Sequence, residues 1–504
     1  MTFNFKDMRP LVIDCDTDTI RAAFAIGELF PAPVITIRAC YAVPTASSSK
    51  SGDINGDSQV ADGQEAGSKS GWLVGEELLN AQKDGRDRSL EWRWPFRPSE
   101  GAEDWEGREF VISHVYALAG INIPSNTIPL LLIPPASPPL LPLSTQASYT
   151  QFAFETINSP MFSILPAPLA GLFALGATTG IVIYIGPSES SVFLVTDSIV
   201  RWECTTTADV GRLDCEAFFE GLLMEDEDLD KELKAAAGKE SLQGEEKRKL
   251  VKEVAEFVWK ECTGPDIEVP ALDSRAAEAI RGVQEEEDES FDVAKKLAGD
   301  ATAAPAVSSH KSKKQQAQAV AAANRAAADA AARAAEQVDL IVVTIPSLPE
   351  KEIQLGPVRH RLCEPLLTGK TVGGDTVWEA VGRAIESASL SLGEKLAIWD
   401  GVAVIGETAK IQSFSPALVT YLSPYLLSSA ELVSDCQPSK LRLLSIPEYF
   451  ANYRKSTTDL APFLGGQLVA RVAFTETQGK HSISKIDYNY KGPQAIYTVI
   501  GEDR

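Results

Sequence analysis

An α/β fold is predicted by three observations: a long chain rich in apolar residues, alternating strand-like and helix-like segments, and a strand–turn–strand unit that occurs twice. The 504 residues are 44% hydrophobic and 8% aromatic, enough to bury a sizeable core divided over two or more domains. Leu11-Val12-Ile13 reads as a short buried strand, followed by the polar stretch Asp14 to Asp18 and a second apolar run from Ile20 to Ile26. Ile181 to Ile185, the turn Gly186-Pro187-Ser188 and Val192 to Val195 repeat that design about 170 residues later, which indicates an internal duplication. Leu250, Val254, Phe257 and Val258 fall on one face of a helix over 250–262 that stops at Gly264-Pro265.

Charge and cysteine usage exclude several classes. The formal net charge is −23, from 70 acidic against 47 basic residues. Such a surface repels phosphate backbones, so direct DNA binding is not expected and a basic partner is favoured. The seven cysteines form no CxxC pair, which reads as reduced thiols rather than a disulfide framework. The four histidines are dispersed without ligand spacing, so no metal site is expected. Met1-Thr2-Phe3-Asn4 lacks a signal-peptide profile, and the apolar stretch Ile128 to Leu143 is broken by Pro134, Pro135, Pro138, Pro139 and Pro142. A soluble intracellular chain without membrane contact is the expectation.

Four stretches differ from the globular background. Residues 46–70, rich in Ser, Gly and Asp, read as a flexible loop. Met224 to Asp230 and Glu285 to Glu289 are acidic runs. Residues 299–316 are polar, with Pro305 and a small basic cluster at Lys311, Lys313 and Lys314. Thirteen of the nineteen residues from 317 to 335 are alanine, a tract with high helix propensity and almost no apolar stripe. The span 264–336 therefore reads as a largely disordered acidic and Ala-rich insertion.

Several short segments share a pattern with one family. These are Leu11 to Asp14 with Arg21 to Ala25; Gly75-Glu76-Glu77 with Trp94-Pro95; Phe154 to Pro160; and Gly176 followed by Thr178-Thr179-Gly180-Ile181-Val182. Val210-Gly211-Arg212, Arg359 to Pro365, Phe463-Leu464-Gly465-Gly466, Ile483 to Tyr488 and Gly492-Pro493 follow in order. In this colinear sequence the chain resembles actin. The resemblance implies an actin-like (actin/Hsp70/hexokinase-type) two-lobed fold, with duplicated mixed-sheet domains around a central cleft. By that alignment the first lobe comprises 1–175 and 460–504, and the second comprises 176–459 with the insertion inside it.

The resemblance also implies a nucleotide cleft whose chemistry has been lost. The first phosphate loop of the family uses glycines, because a bare backbone lets amide N–H groups reach the phosphates. Here Asp16 and Asp18 stand at those positions, after Asp14. A carboxylate about 4 Å from a phosphate costs on the order of 4 kcal/mol at an effective dielectric near 20. Arg21 replaces the phosphate-reaching lysine and keeps its charge but not its shape. Tyr184 stands for the carboxylate of the second loop, and Gly186 is followed by Pro187 and Ser188 where Asp-Gly positions are expected. The water-positioning glutamine falls at Ala167, and the glycine pair of the adenosine loop reads Gly406-Glu407. These departures imply a pseudo-enzyme that requires no cofactor. ATP bound without hydrolysis stays open, because adenine packing does not depend on the phosphate loops. Two competing motifs fail on spacing. Asp14 to Asp18 imitates an EF-hand start, but Thr19 and Ala25 occupy its glycine and glutamate positions. Gly369-Lys370-Thr371 imitates the end of a Walker loop, but Glu364 replaces the leading glycine and a surface turn is expected.

Ile446 to Phe450, Leu464-Gly465-Gly466 and Asp487-Tyr488-Asn489 are most similar to the fungal actin-related subunits of SWI/SNF- and RSC-type chromatin remodellers. That resemblance implies a nuclear structural subunit, paired with a second actin-related protein on the helicase-SANT-associated helix of a remodelling ATPase. The family's partner groove maps onto Phe173, Gly176, Thr178, Leu468, Val469 and Val472. A cytoplasmic pointed-end subunit of dynactin and a true ATPase with compensating residues are the alternatives.

Overall fold

A computed structural model describes residues 9–25, 30–45, 71–98, 103–136, 141–239, 242, 244–261, 340–371, 373–411, 414–426, 437–438, 440–453, 457–476 and 481–500. The loop expected at 46–70 and the insertion expected at 264–336, with its acidic run, lysine cluster and alanine tract, lie outside these residues. The chain divides into two compact units. The first comprises Met1–Leu213, Thr368–Lys410 and Ser434–Arg504, and the second comprises Asp214–Leu367 and Ile411–Val433.

Two mixed sheets organise the first unit. In one, β1 (Leu11–Cys15) lies antiparallel to β2 (Thr19–Phe24), with Asp14 opposite Arg21. On its other side β1 runs parallel to β7 (Leu130–Ile133). The outer strands are β3 (Ile35–Arg38) beside β2, then β8 (Met161–Ile164) and β16 (Ile483–Ser484) beyond β7. In the second sheet β9 (Gly180–Ile185) lies antiparallel to β10 (Ser190–Thr196) and parallel to β15 (Val402–Ile405). The short strands β11 (Ile199–Val200) and β12 (Thr206–Ala208) pair with β10. Each sheet thus carries an antiparallel hairpin flanked by a parallel strand on the hairpin's first strand. The duplication legible in the sequence is a repeat of topology.

Continuous apolar runs form these strands because both of their faces are covered. All five residues of β1 are buried. Val12 points into a core with Leu131, Ile133, Val182, Phe193 and Ile405. Its neighbours Leu11 and Ile13 point the opposite way, toward Val111, Val115, Tyr116 and Phe162. A period of two thus sorts adjacent residues into two cores, and each buried aliphatic side chain contributes about 1.5–3 kcal/mol.

Helices Ala167–Ala174 and Ala461–Arg471 cross within the first of these cores, and glycine sets how closely they approach. A Cβ built on Gly465 would lie 1.8 Å from the carbonyl oxygen of Ala170, and one on Gly466 would lie 2.5 Å from Ile133 Cδ1. No larger residue fits at Gly465 without parting the helices, nor at Gly466 without shifting the Ile133 side chain of the sheet. A smaller sheet places β4 (Tyr41–Pro44) between β5 (Leu73–Val74) and β6 (Leu90–Arg93). Gly369-Lys370-Thr371 forms a turn as expected, with Gly369 at φ +88° and Lys370 paired to Asp209 at 3.1 Å.

In the second unit, a hairpin of β13 (Ile341–Ile345) and β14 (Leu348–Leu355) packs on helices Glu227–Ala237 and Gly244–Glu261. Leu250, Val254 and Val258 are buried and Phe257 is half-buried, in keeping with the predicted face. The helix begins six residues earlier than its apolar pattern does, because Glu245 and Glu246 suit a helix N-terminus without contributing to the stripe. Glu253 from this helix accepts from Ser347 N (2.9 Å) and Ser347 Oγ (2.6 Å), holding the hairpin's turn. The acidic run Met224 to Asp230 belongs to the globular structure rather than interrupting it. It ends helix Arg212–Glu225 and opens the next, whose N-cap Asp226 accepts from Asp228 N and Leu229 N. Cys15, Cys40, Cys204, Cys215 and Cys363 are buried thiols outside any disulfide. No helix among the described residues is long and apolar enough to cross a membrane.

Candidate functional site

The sequence-nominated cleft residues lie at the ends of the two repeated hairpins. Asp14 is near the end of β1, Asp16 and Asp18 occupy the turn into β2, and Arg21 faces Asp14 across the ladder. Tyr184 is the fifth residue of β9 and Gly186 follows that strand. Ala167 opens helix Ala167–Ala174, and Gly406, at φ +96°, and Glu407 follow β15. The structure brings Asp14, Asp16, Arg21, Ala167, Tyr184 and Gly406 around one cavity, joined by Cys15 and Asp459.

That cavity is almost filled by its own walls. The space open to the centre of a water molecule is about 10 Å³. A single water needs roughly 10–15 Å³ on that measure. Tyr184 is part of its wall. Its hydroxyl donates to Asp16 Oδ1 at 2.6 Å, which leaves Thr17 Oγ1 to donate to the Tyr184 oxygen at 3.0 Å. The same Asp16 oxygen accepts from Thr17 N at 2.8 Å. Arg21 pairs with Asp14 at 3.4 Å and with Asp459 at 3.6 Å. At the turn, both oxygens of Asp18 are engaged. Arg97 Nε donates to Oδ1 at 2.8 Å, and Arg212 Nη2 donates to Oδ2 at 2.7 Å. Arg212 also lies 3.7 Å from Glu407, which accepts from Thr19 Oγ1 at 2.9 Å and pairs with Lys410 at 3.7 Å.

Burial dominates the electrostatics. It pushes the Asp14 carboxyl up to about 7, even though Arg21 beside it acts in the opposite direction. Asp16 is raised by burial too, opposed by Arg21 and by the hydroxyl of Tyr184. Burial and the neighbouring Asp16 hold the Tyr184 hydroxyl far above its ordinary range. Desolvation disfavours the Arg21 charge, but Asp14, Asp16, Asp459 and Glu407 outweigh it and keep that guanidinium firmly protonated. The arrangement is a network of carboxylates and guanidinia satisfied from within the protein.

Asp459, Arg97, Thr17 and Lys410 were not nominated from sequence, and Arg212 was noted only as part of a pattern. Asp459, Arg97 and Arg212 reach the cleft from segments remote in sequence, so no spacing reveals them, whereas Thr17 lies between Asp16 and Asp18 and Lys410 three residues after Glu407. The one local signal is Gly211, where a Cβ would lie 2.5 Å from Pro187 O and so displace the start of Arg212's helix. Among the described residues, no group of three or more His, Cys, Asp or Glu is placed to hold a metal ion.

A second concavity shares Pro134, Pro135, Ala136 and Ala167 with the first and is lined by further residues of helix Ala167–Ala174. Its volume on the same measure is about 490 Å³, with Leu165, Phe173, Ile199, Trp202, Val469 and Ile483 in its lining. Of the nominated partner residues, Phe173 and Val469 line it. Gly176, at φ +75°, and Thr178 are exposed near the helix end, with open space where a Cβ on Gly176 would point. Leu468 is half-buried against the core, and Val472 is 42% exposed beyond the helix.

Residues 5–237 match the Actin family model. The chain is 24% identical over 424 residues to the "SWI/SNF and RSC complexes subunit arp9" of Schizosaccharomyces pombe, covering 78% of this chain and 77% of that protein. It is 27% identical over 214 residues to an "Actin-like protein" of Neurospora crassa, covering 42% of this chain and 50% of the other. It is 31% identical over 84 residues to "Centractin" of Schizosaccharomyces pombe, covering 17% and 21%. Together with two hairpins of repeated topology that both contribute to one cavity, these comparisons show an actin-family domain over residues 5–237, in a chain similar to actin-related proteins.

Proposed function

We propose that this chain is a non-catalytic structural subunit of an ATP-dependent chromatin-remodelling complex. In this reading it works in the nucleus, paired with a second actin-related protein on the helicase-SANT-associated helix of the remodelling ATPase. The observation that carries the reading is the similarity along 78% of the chain to a subunit of SWI/SNF and RSC complexes. The cleft supports the non-catalytic part. Where an actin-type site would hold phosphates, Tyr184, Asp16 and Arg21 leave about 10 Å³, walled by carboxylates. A triphosphate does not fit those residues without displacing them, and the carboxylates of Asp16 and Asp459 oppose the entry of its like charge.

The 490 Å³ concavity is the proposed seat for an amphipathic helix, with Phe173 and Val469 as its apolar floor. Burial there contributes about 25 cal/mol per Å² before ordering costs. The net charge of −23 favours a helix flanked by lysine and arginine, chiefly through the association rate, and disfavours direct DNA contact. Affinity purification of the tagged chain with mass spectrometry tests membership. Remodeller subunits and a second actin-related protein should co-purify, whereas dynactin subunits in their place would overturn the assignment. Within the complex, a folded Val469→Asp variant should lose the helicase-SANT-associated segment in a pull-down. Undiminished binding would remove this groove from the account.

A further inference from the structure

Asp18 is held unlike the other carboxylates of the cleft. Two guanidinia from distant segments converge on it, Arg97 on Oδ1 and Arg212 on Oδ2, so one carboxylate bridges two planar donors. Guanidinium forks match the oxygen spacing of carboxylates and of tetrahedral oxyanions. Neither arginine depends on Asp18 alone for its position. The Arg97 guanidinium lies 3.8 Å from the centroid of the Trp94 ring, and its backbone N–H donates to Trp94 O at 3.2 Å. The Arg212 backbone N–H donates to Gly186 O at 2.9 Å, and its side chain faces Glu407. The Asp18 backbone is likewise fixed without its carboxyl. Its carbonyl accepts from Ala39 N at 2.9 Å, and Asp16 N donates to Thr19 O at 3.0 Å to close the turn. The carboxyl group can therefore be deleted while the donors that surround it stay in place.

We propose that Arg97 and Arg212 form an oxyanion-binding site whose resident ligand is the chain's own Asp18 carboxylate. The two arginines would otherwise converge on an external anion of the carboxylate, sulfate or phosphate class. Asp18 answers them from within, and so clasps the β1–β2 turn to the segment after β6 and to the residue that opens helix Arg212–Glu225. The wild-type site is closed to small oxyanions because it is already filled. The Arg97 side chain is 24% exposed, which leaves the site a side open to water through which an external anion can enter once the carboxyl is removed.

Chemical rescue of the full-length protein tests this. Asp18→Ala should lower Tm by on the order of 3–5 °C, the loss expected when one partner of a buried charge pair is removed from a chain this long. Sodium formate, which restores the missing carboxylate, should recover at least half of that loss relative to sodium chloride of equal ionic strength. Sulfate and phosphate serve as the larger probes. Wild type should show no formate-specific gain, and neither should Asp18→Ala/Arg97→Gln/Arg212→Gln. Asp18→Asn fills the same space without charge, so it should lose stability and gain nothing from formate. Equal recovery in chloride, recovery that survives removal of both arginines, or an Asp18→Ala protein that does not fold even in formate would each overturn the proposal. Because no nucleotide or partner protein enters the assay, its outcome is separate from that of the remodeller reading.

Discussion

Asp14→Asn should flatten the pH dependence of stability, and its size follows from the burial of that carboxyl. In the unfolded chain the group ionises near its ordinary 3.8; in the folded protein burial moves it to about 7. The folded state therefore holds the proton more tightly, and stability falls as pH rises between those values. The stabilisation is fully present below 3.8 and is gone once pH has passed through about 7. Each pH unit in that window corresponds to about 1.4 kcal/mol, so the whole span amounts to roughly 4 kcal/mol. Between pH 5 and 8 about two of those units remain, or ~3 kcal/mol. An unfolding entropy of about 2.1 cal/mol/K per residue gives a chain this long on the order of 1 kcal/mol per degree, so the expected change is about 3 °C. Thermal melts of wild type and Asp14→Asn across that range supply the measurement. Wild type should lose about 3 °C relative to the variant on going from pH 5 to pH 8. Parallel curves would show that Asp14 does not carry a buried proton and would refute the reasoning.

Two substitutions test the packing that encloses the cleft. Tyr184→Phe removes the hydroxyl that donates to Asp16 and accepts from Thr17, leaving a buried carboxylate one donor short. The expected cost is about 1.5–3 kcal/mol, read as a lower Tm, and an unchanged Tm would contradict the hydrogen-bond assignment. Gly465→Ala places a Cβ 1.8 Å from Ala170 O, so the two crossing helices must part. Overpacking of this kind costs typically 1–3 kcal/mol, and a variant as stable as wild type in a thermal melt would exclude so close a crossing.

The hairpins are legible because β9, β10 and the first three residues of β1 are apolar or small and bounded by turn residues, so burial on both faces leaves a mark in one dimension. The helix carrying Leu250, Val254 and Val258 was legible for the analogous reason, though not its polar first turn. At the site, Asp14, Asp16, Arg21, Ala167, Tyr184 and Gly406 were nominated through resemblance and do meet at one cavity. Their pairing was not readable. Arg21 reaches Asp459 across 438 residues of chain, and Arg97 and Arg212 reach Asp18 from segments with no periodic relation to it. Charge satisfaction over such separations is a property of the tertiary fold, and a sequence shows only that the charges exist. The reading of Met224 to Asp230 as a departure from the globular pattern failed for a local reason. Acidic residues at a helix start are capping groups, and Asp226 makes those bonds to Asp228 and Leu229.

The central claim is that the cleft is closed by the protein's own side chains and turns over no nucleotide. Phosphate release from saturating Mg·ATP by the purified, folded chain tests it most directly, with Tyr184→Phe as the cleft control. The account predicts release at the background rate for both proteins. Release above background by wild type that the Tyr184→Phe substitution abolishes would contradict it, because the turnover would then belong to the cleft.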